Sequence, residues 1–459
     1  QTLVMKLDKI HNIYRYSYMT LFVVIALFGR SATGIYFFGF RLGELMTAGC
    51  MLLSVYFLLV VSQKNKYFTI DRKSLLVHKI IIISFFATLF LTNGSLTSAY
   101  TYKSSSYIWT IAFLFLGLFA FRDIKTESLF FKILPFLLPA TYILSTLFFP
   151  KFLVTFFTEN SDKFDFLKSA DVLLLFILTN IINQKQIKNN FNYLIYFLIS
   201  SAVFLPLFLY KSKGSFLPAI IFVLFEVIRT RKIFSGEKLK SLLLIILCIP
   251  IFYGSAYISG VGLFGGSSAT EDEDLIRSVS TTVQKIAEEK NTTDLIGSFY
   301  IYNGRLYSEE MMTDWRLQIW QDAVRDLFWD FEYEDSNGYL YRTETIKNYD
   351  RFFTGFGYNE ILPAMNHSSR RGTDMTNENL HNFAINIFVK GGILQIILFI
   401  LFYLAIIRKW YLETGNFVLL SLLTYPLICA FFDVSMESVR FPFIFFGSVA
   451  LLFNQHKVR

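Results

Sequence analysis

His381 sits in TNENLHN, directly before a long apolar run, so it stands at the mouth of a hydrophobic helix. Histidine is one of few side chains able to take a proton near neutral pH. Lys211 and Lys213, in LYKSKGSF, occupy the turn between two further apolar runs. Gly214 lets a backbone approach closely there, and the helix that starts at this turn adds the positive end of its dipole, so the turn reads as an anion site. Arg316 lies near the start of TDWRLQIWQDAVRDLFWDF. Each has a plainer reading: lysines snorkelling at a helix end, an arginine paired with a neighbour such as Asp314, a satisfied interfacial histidine. Arg370-Arg371 reads as a solvated turn.

Other chemistries find less support. Asp272-Glu273-Asp274 has the form of a metal-holding D-x-D, but within EDED after a Gly-Ser stretch it reads as a solvated charge run. There is no Walker loop and no G-x-G-x-x-G following a strand, so ATP-driven and dinucleotide chemistry have no motif. The three cysteines, Cys50, Cys248 and Cys429, lie inside apolar runs and build neither a disulfide framework nor a zinc site. Neither a metal nor a cofactor is expected.

The elements that must position these residues follow from composition. Of 459 residues, 54% are hydrophobic, 53 are Phe and only 17% are charged, where a soluble domain carries about a quarter. Runs long enough to cross about 30 Å of hydrocarbon recur, and they are continuously apolar, not alternating, which favours helices over a β-barrel. No small-residue cleavage pattern follows the first run. The expected fold is an all-α polytopic membrane protein with about twelve transmembrane helices, near 17–38, 43–62, 77–95, 107–121, 126–149, 168–184, 192–210, 215–229, 240–259, 381–407, 416–432 and 439–454. Arg30 interrupts the first of these, which is expected either to break or to re-enter. Residues 1–259 then hold helices one to nine, 260–380 form a large loop, and 381–459 hold helices ten to twelve.

Charge sets the orientation. The formal net charge is +8, yet residues 260–379 hold 11 Lys+Arg against 21 Asp+Glu, a balance of −10 that leaves +18 for the remainder. Basic residues crowd one set of connections, among them Arg15, Lys64, Arg72, Arg122, Lys185, Arg229, Lys238 and Arg408. By the positive-inside rule that side is cytoplasmic, both termini are inside, and the 260–380 loop with His381 at its edge is outside. Within the loop, LIRSVSTTVQKIAEEK and the segment carrying Arg316 both have helical periodicity. In the second, Trp315, Ile319, Ala323 and Phe328 share a stripe, and Thr313 or Asp314 is placed to cap it. The loop is expected to be mainly helical and to lie over the membrane body as a lid.

Four features in this order resemble the O-antigen polymerase and O-antigen ligase superfamily. They are Ser212-Lys213-Gly214 at an outer turn, Arg316-x-x-x-Trp320 in the loop, Gly355-x-Gly357 before the loop ends, and His381-Asn382 opening the next span with Gly391-Gly392 following. The topology covers most of the chain, and the motifs cover about 213–393. The family turn usually reads Ser-Arg-Gly, and lysine keeps its charge but not the bidentate fork. Where the family commonly has an acidic residue before the glycine pair, this chain has Lys390.

The resemblance implies a polyprenyl-pyrophosphate-dependent, GT-C-like glycosyltransferase of the bacterial inner membrane, working at the periplasmic face without metal or ATP. It would take a glycan from an undecaprenyl-pyrophosphate carrier and pass it, with inversion, to an acceptor hydroxyl. Lys211, Lys213 and Arg316 would hold the pyrophosphate, and His381 would act on the acceptor hydroxyl as base or orienting group. The partners implied are the carrier-linked glycan, membrane lipid and a chain-length regulator, with no nucleic acid. The preferred reading is a polymerase, because the outer loop is long and idiosyncratic. A ligase passing the glycan to lipid A-core shares the donor and stays open. A lipid-linked oligosaccharide flippase would bring inverted repeats and mid-span charges, and the sequence displays neither.

Overall fold

The computed structural model describes residues 2–60, 72–124, 128–187, 189–261, 299–309, 311–328, 332–333, 340–341, 350–366, 370 and 377–457. The expected loop helix at 275–290 and the Asp272-Glu273-Asp274 run lie outside them.

The first half of the chain contributes α1 (Thr2–Thr33), α2 (Leu42–Val60), α3 (Arg72–Leu91), α4 (Ala99–Ser104), α5 (Ser106–Trp109), α6 (Ala112–Ala120), α7 (Leu129–Tyr142) and α8 (Lys151–Asn160). Then come α9 (Ser169–Gln186), α10 (Asn190–Lys211), α11 (Lys213–Gly236) and α12 (Lys238–Val261). The loop supplies α13 (Met311–Arg325) and α14 (Asp350–Thr354), and the chain closes with α15 (Phe383–Thr414), α16 (Val418–Ala430) and α17 (Arg440–Lys457). Among the described residues sheet is confined to three antiparallel hairpins: β1 (Tyr36–Phe37) with β2 (Phe40–Arg41), β3 (Phe299–Tyr302) with β4 (Arg305–Ser308), and β5 (Glu332–Tyr333) with β6 (Leu340–Tyr341).

Six helical segments among the described residues are long and apolar enough to cross a bilayer: Leu42–Leu59, Lys73–Leu91, Leu129–Leu147, Asn190–Lys211, Lys238–Ser259 and Phe383–Thr414. This is the architecture of a helical membrane protein. The runs at 107–121 and 416–432 fold as shorter apolar helices, Ser106–Ala120 and Val418–Ala430. The stretch after α7, where no span is expected, forms α8. The first run does break, one residue before Arg30: Gly29 takes φ +52°, against Leu167 and the Arg440–Asp171 pair.

Burial shows how the helices are layered. Every residue of α9 from Ser169 to Asn183 is buried, as expected of a helix that is apolar all round and surrounded by others. By contrast, α12 exposes Leu242, Leu243, Ile246 and Ile249, a continuous apolar surface that a water-facing helix does not carry. Ends are set locally. The Asn189 side chain accepts from the Phe191 amide at 2.8 Å to start α10, and Gly415 at φ +65° ends α15.

A second apolar cluster joins loop to bundle. Ile319, Ala323 and Leu327 from α13 and its end pack with Leu362, Met365, Leu380 and Val389, with Trp315, Phe328, Ile385 and Phe388 beside them. The expected stripe therefore faces the N-terminal end of α15. The α13 helix starts at Met311, before Thr313 and Asp314. Asp314 Oδ1 instead accepts from the Ser308 amide at 2.9 Å and ties β4 to the helix.

Candidate active site

The glycine motifs position everything else. At Gly392, φ +71° interrupts α15 and leaves the carbonyls of Val389 and Lys390 without their helical donors. The Gly355–Gly357 segment supplies replacements: Phe356 N–H donates to Val389 O at 2.8 Å and Gly357 N–H to Lys390 O at 2.9 Å. Irregular backbone at membrane depth is tolerated where such partners re-satisfy it. Only glycine fits, since a Cβ on Gly355 would stand 2.3 Å from Lys390 O, and one on Gly392 would stand 2.1 Å from Phe353 O. Two motifs some 35 residues apart in the sequence are thus two halves of one backbone joint.

From that joint α15 runs back to His381. Asn382 caps the helix, its side chain accepting from the Ile385 amide at 3.0 Å. His381 itself takes φ +54°, unusual for a residue with a side chain. It is held there from the loop: Trp320 Nε1 donates to Leu380 O at 2.6 Å, and the Trp315 ring meets the imidazole edge to face at 5.4 Å. His381 Nε2 lies 3.2 Å from Asn377 Oδ1, while Nδ1 is buried with no partner. His381 precedes the membrane-spanning segment, and its pKa is held down at about 4, first by burial and then by Arg316 and Lys168, with Asp433 pulling the other way. The resting imidazole is neutral.

Arg316 is one turn before Trp320 on α13. Its Nη1 donates to Phe432 O at 2.9 Å, its Nε is buried without a partner, and the expected pairing with Asp314 does not form. The Ser-Lys-Gly turn reaches the same residue, because a Cβ on Gly214 would stand 2.8 Å from Phe432 Cβ. Lys213 is the first residue of α11, and its side chain lies outside the described residues. Arg316, His381 and the backbone of this turn are therefore gathered at one end of the bundle. Lys211 Nζ donates to Ser145 O at 3.0 Å, in the π-helical turn that follows α7.

Several participants escaped the sequence reading. Arg370 is not a solvated turn. It is buried, donating to Asp322 Oδ2 at 2.6 Å and Ala364 O at 2.8 Å, while Arg305 reaches Asp322 Oδ1 at 2.8 Å. Below this pair, burial and Asp322 push the Asp326 carboxyl up to about 7. Glu437, in the turn between α16 and α17, is raised to about 7 by burial against a partial offset from Lys390, and its Oε1 lies 3.4 Å from Asn386 Nδ2. Lys168 caps the N-terminus of α9 within electrostatic reach of His381. A basic residue ahead of an apolar run was the available signal, but Lys103 and Lys163 share it.

Among the described residues no three His, Cys, Asp or Glu side chains are gathered as metal ligands would be. Compared with known proteins, the chain matches no family model and no curated protein.

Proposed function

We propose that the chain is a membrane glycosyltransferase of the O-antigen polymerase type, moving a glycan from a polyprenyl-pyrophosphate carrier to the hydroxyl of a second carrier-linked repeat unit. One observation carries the reading. Arg316 and His381 stand together at the mouth of α15, each with a buried nitrogen that has no partner, and among the described residues no carboxylate pairs with Arg316. Buried donors are normally satisfied, so a guanidinium and an imidazole left short on the same site fit an anionic substrate with a hydroxyl beside it.

In this reaction the acceptor oxygen attacks the anomeric carbon, the bond to the pyrophosphate oxygen breaks, and the centre inverts. Arg316, with Lys213 from the facing turn, offsets the charge that grows on the leaving pyrophosphate. The hydroxyl proton passes to His381. An imidazole with a pKa of about 4 is a poor base, but a bound pyrophosphate adds negative charge beside it and raises that value. The base thus becomes competent when the donor is in place. The loop end faces the periplasm and both termini the cytoplasm in this reading, with twelve crossings, on the strength of the Lys/Arg distribution.

Deleting the gene and running surface glycan on a gel tests the activity. Carrier lipid with a single repeat is the expected product, whereas accumulated long polymer left unattached identifies a ligase that uses the same donor site. Orientation is tested by cysteines placed at Ser336 and at Lys238. In spheroplasts an impermeant thiol reagent should label the first and spare the second, and the reverse pattern would overturn the assignment.

A further inference from the structure

Lys168 occupies a place that ordinary helix electrostatics disfavours. Cations gain at helix C-termini and lose at N-termini, yet Lys168 is the N-cap of α9 and Lys213 is the first residue of α11. These two N-termini are fastened together, Ser215 Oγ to Ser169 Oγ at 3.0 Å, with Cys429 Sγ 3.4 Å further on. The adjacent carboxylate is already spent, since Asp171, one turn into α9, is buried against Arg440 at 2.8 Å. Among the described residues no hydrogen bond or ion pair engages the Lys168 ammonium. Its half-buried side chain lies within electrostatic reach of His381, as Arg316 does, and among the described residues Asp433 is the carboxylate that opposes them there.

We propose that Lys168 is a further substrate-binding cation of this site, directed with Arg316 at the diphosphate of the donor. Two positive helix ends, Lys168 and Arg316 repel one another in the absence of an anion, and a diphosphate turns each repulsion into a contact. The orphaned Arg316 Nε marks where one of its oxygens comes. This assignment rests on the donor chemistry proposed above and adds a residue and a position to it: the anion is clamped between the α9–α11 face and the loop helix.

The test uses the purified full-length chain with inorganic pyrophosphate as probe, read by calorimetry or by the shift in melting temperature. Lys168→Met keeps the side-chain stem and removes the charge. It should weaken binding about tenfold or more, as loss of a charge-assisted contact does, while Lys168→Arg stays within about threefold of the parent on the same scale and the exposed control Lys163→Met is unchanged. Loss of binding in Arg316→Ala with none in Lys168→Met would overturn the Lys168 assignment and leave the donor reading standing. Equal loss in Lys168→Met and Lys168→Arg would mean a packing role, and the assignment falls. No pyrophosphate binding by the parent protein would remove both.

Discussion

The two ends of the helix bundle use their cations differently. At the end opposite the loop, several cations have local structural partners. Arg15 donates to Ala120 O at 3.2 Å and Arg122 O at 2.5 Å, where α6 ends and its carbonyls are bare. Arg229 pairs with the buried Glu226, and Lys240 with Glu237 at 2.5 Å. At the loop end Lys103, Arg305 and Arg370 also pair with carboxylates, but Arg316 donates to a carbonyl, and Lys168 and Lys213 stand at helix N-termini. The first arrangement stabilises the fold. The second leaves Arg316 Nε and the Lys168 ammonium without a partner among the described residues, which makes structural sense when an anion completes them.

The largest expected effect breaks or confirms this contrast directly. His381→Ala and Arg316→Ala should each cut glycan transfer by about 10²- to 10⁴-fold, the range of a positioned base or electrostatic donor, with the protein still present in the membrane. Arg229→Ala, at the other end, should stay within about threefold in the same lipid-linked transfer assay, less than 1 kcal/mol. A comparable loss there would erase the distinction between the ends. His381→Gln separates orienting from proton transfer, since glutamine holds a hydroxyl but accepts no proton.

Next comes the joint that supports the site. Gly392→Ala places a methyl 2.1 Å from Phe353 O at a left-handed backbone position, so the loop must lift or α15 must straighten. Stability should fall by about 3 kcal/mol or more, measured as a drop in melting temperature of the detergent-solubilised protein. Gly415→Ala, with nothing near its Cβ, should cost about 1 kcal/mol. Trp320→Phe keeps the packing and removes the bond to Leu380 O. It should cost about 1 kcal/mol but loosen His381 enough to depress turnover more than donor affinity.

The smallest effect concerns acidity in the loop. Asp326 is raised from 3.8 to about 7, so the fold binds its proton more tightly than the unfolded chain does. Its stabilisation is complete below about pH 4 and disappears as pH rises through 7. Asp326→Asn, which cannot ionise, should therefore melt higher than the parent at pH 8, with the gap closing toward pH 5. His381 has the opposite sign. Its pKa is lowered from 6.5 to about 4, so its share of stability is present above 6.5 and lost as pH falls through 4. A gap that widens toward acid for Asp326→Asn would contradict the assignment.

Much of this organisation was legible in sequence because it is periodic. The apolar runs became helices, and the stripe of Trp315, Ile319 and Ala323 faces the bundle through Ile385 and Val389. What escaped depends on contacts between distant segments. Nothing local in Arg370 shows that Asp322, 48 residues earlier, waits in the interior. The helix α8 is short and follows Pro150, so no run of span length announces it. Lys168 looks like any lysine ahead of a hydrophobic stretch until α11 is seen fastened beside it. The two glycine pairs could be noted from sequence as motifs, but their mutual fit could not.

That fit has a consequence for how the protein is made and remade. The loop segment bearing Gly355 and Gly357 is synthesised before α15, so its amides are already made when the carbonyls of Val389 and Lys390 arrive. The interrupted helix is thus completed by an earlier stretch of its own chain, and α15 alone would enter lipid with two bare carbonyls, each costing several kcal/mol. Hybrids that exchange the outer loop for that of another protein will insert cleanly only if the cut falls after Gly392, so that donor amides and acceptor carbonyls travel together.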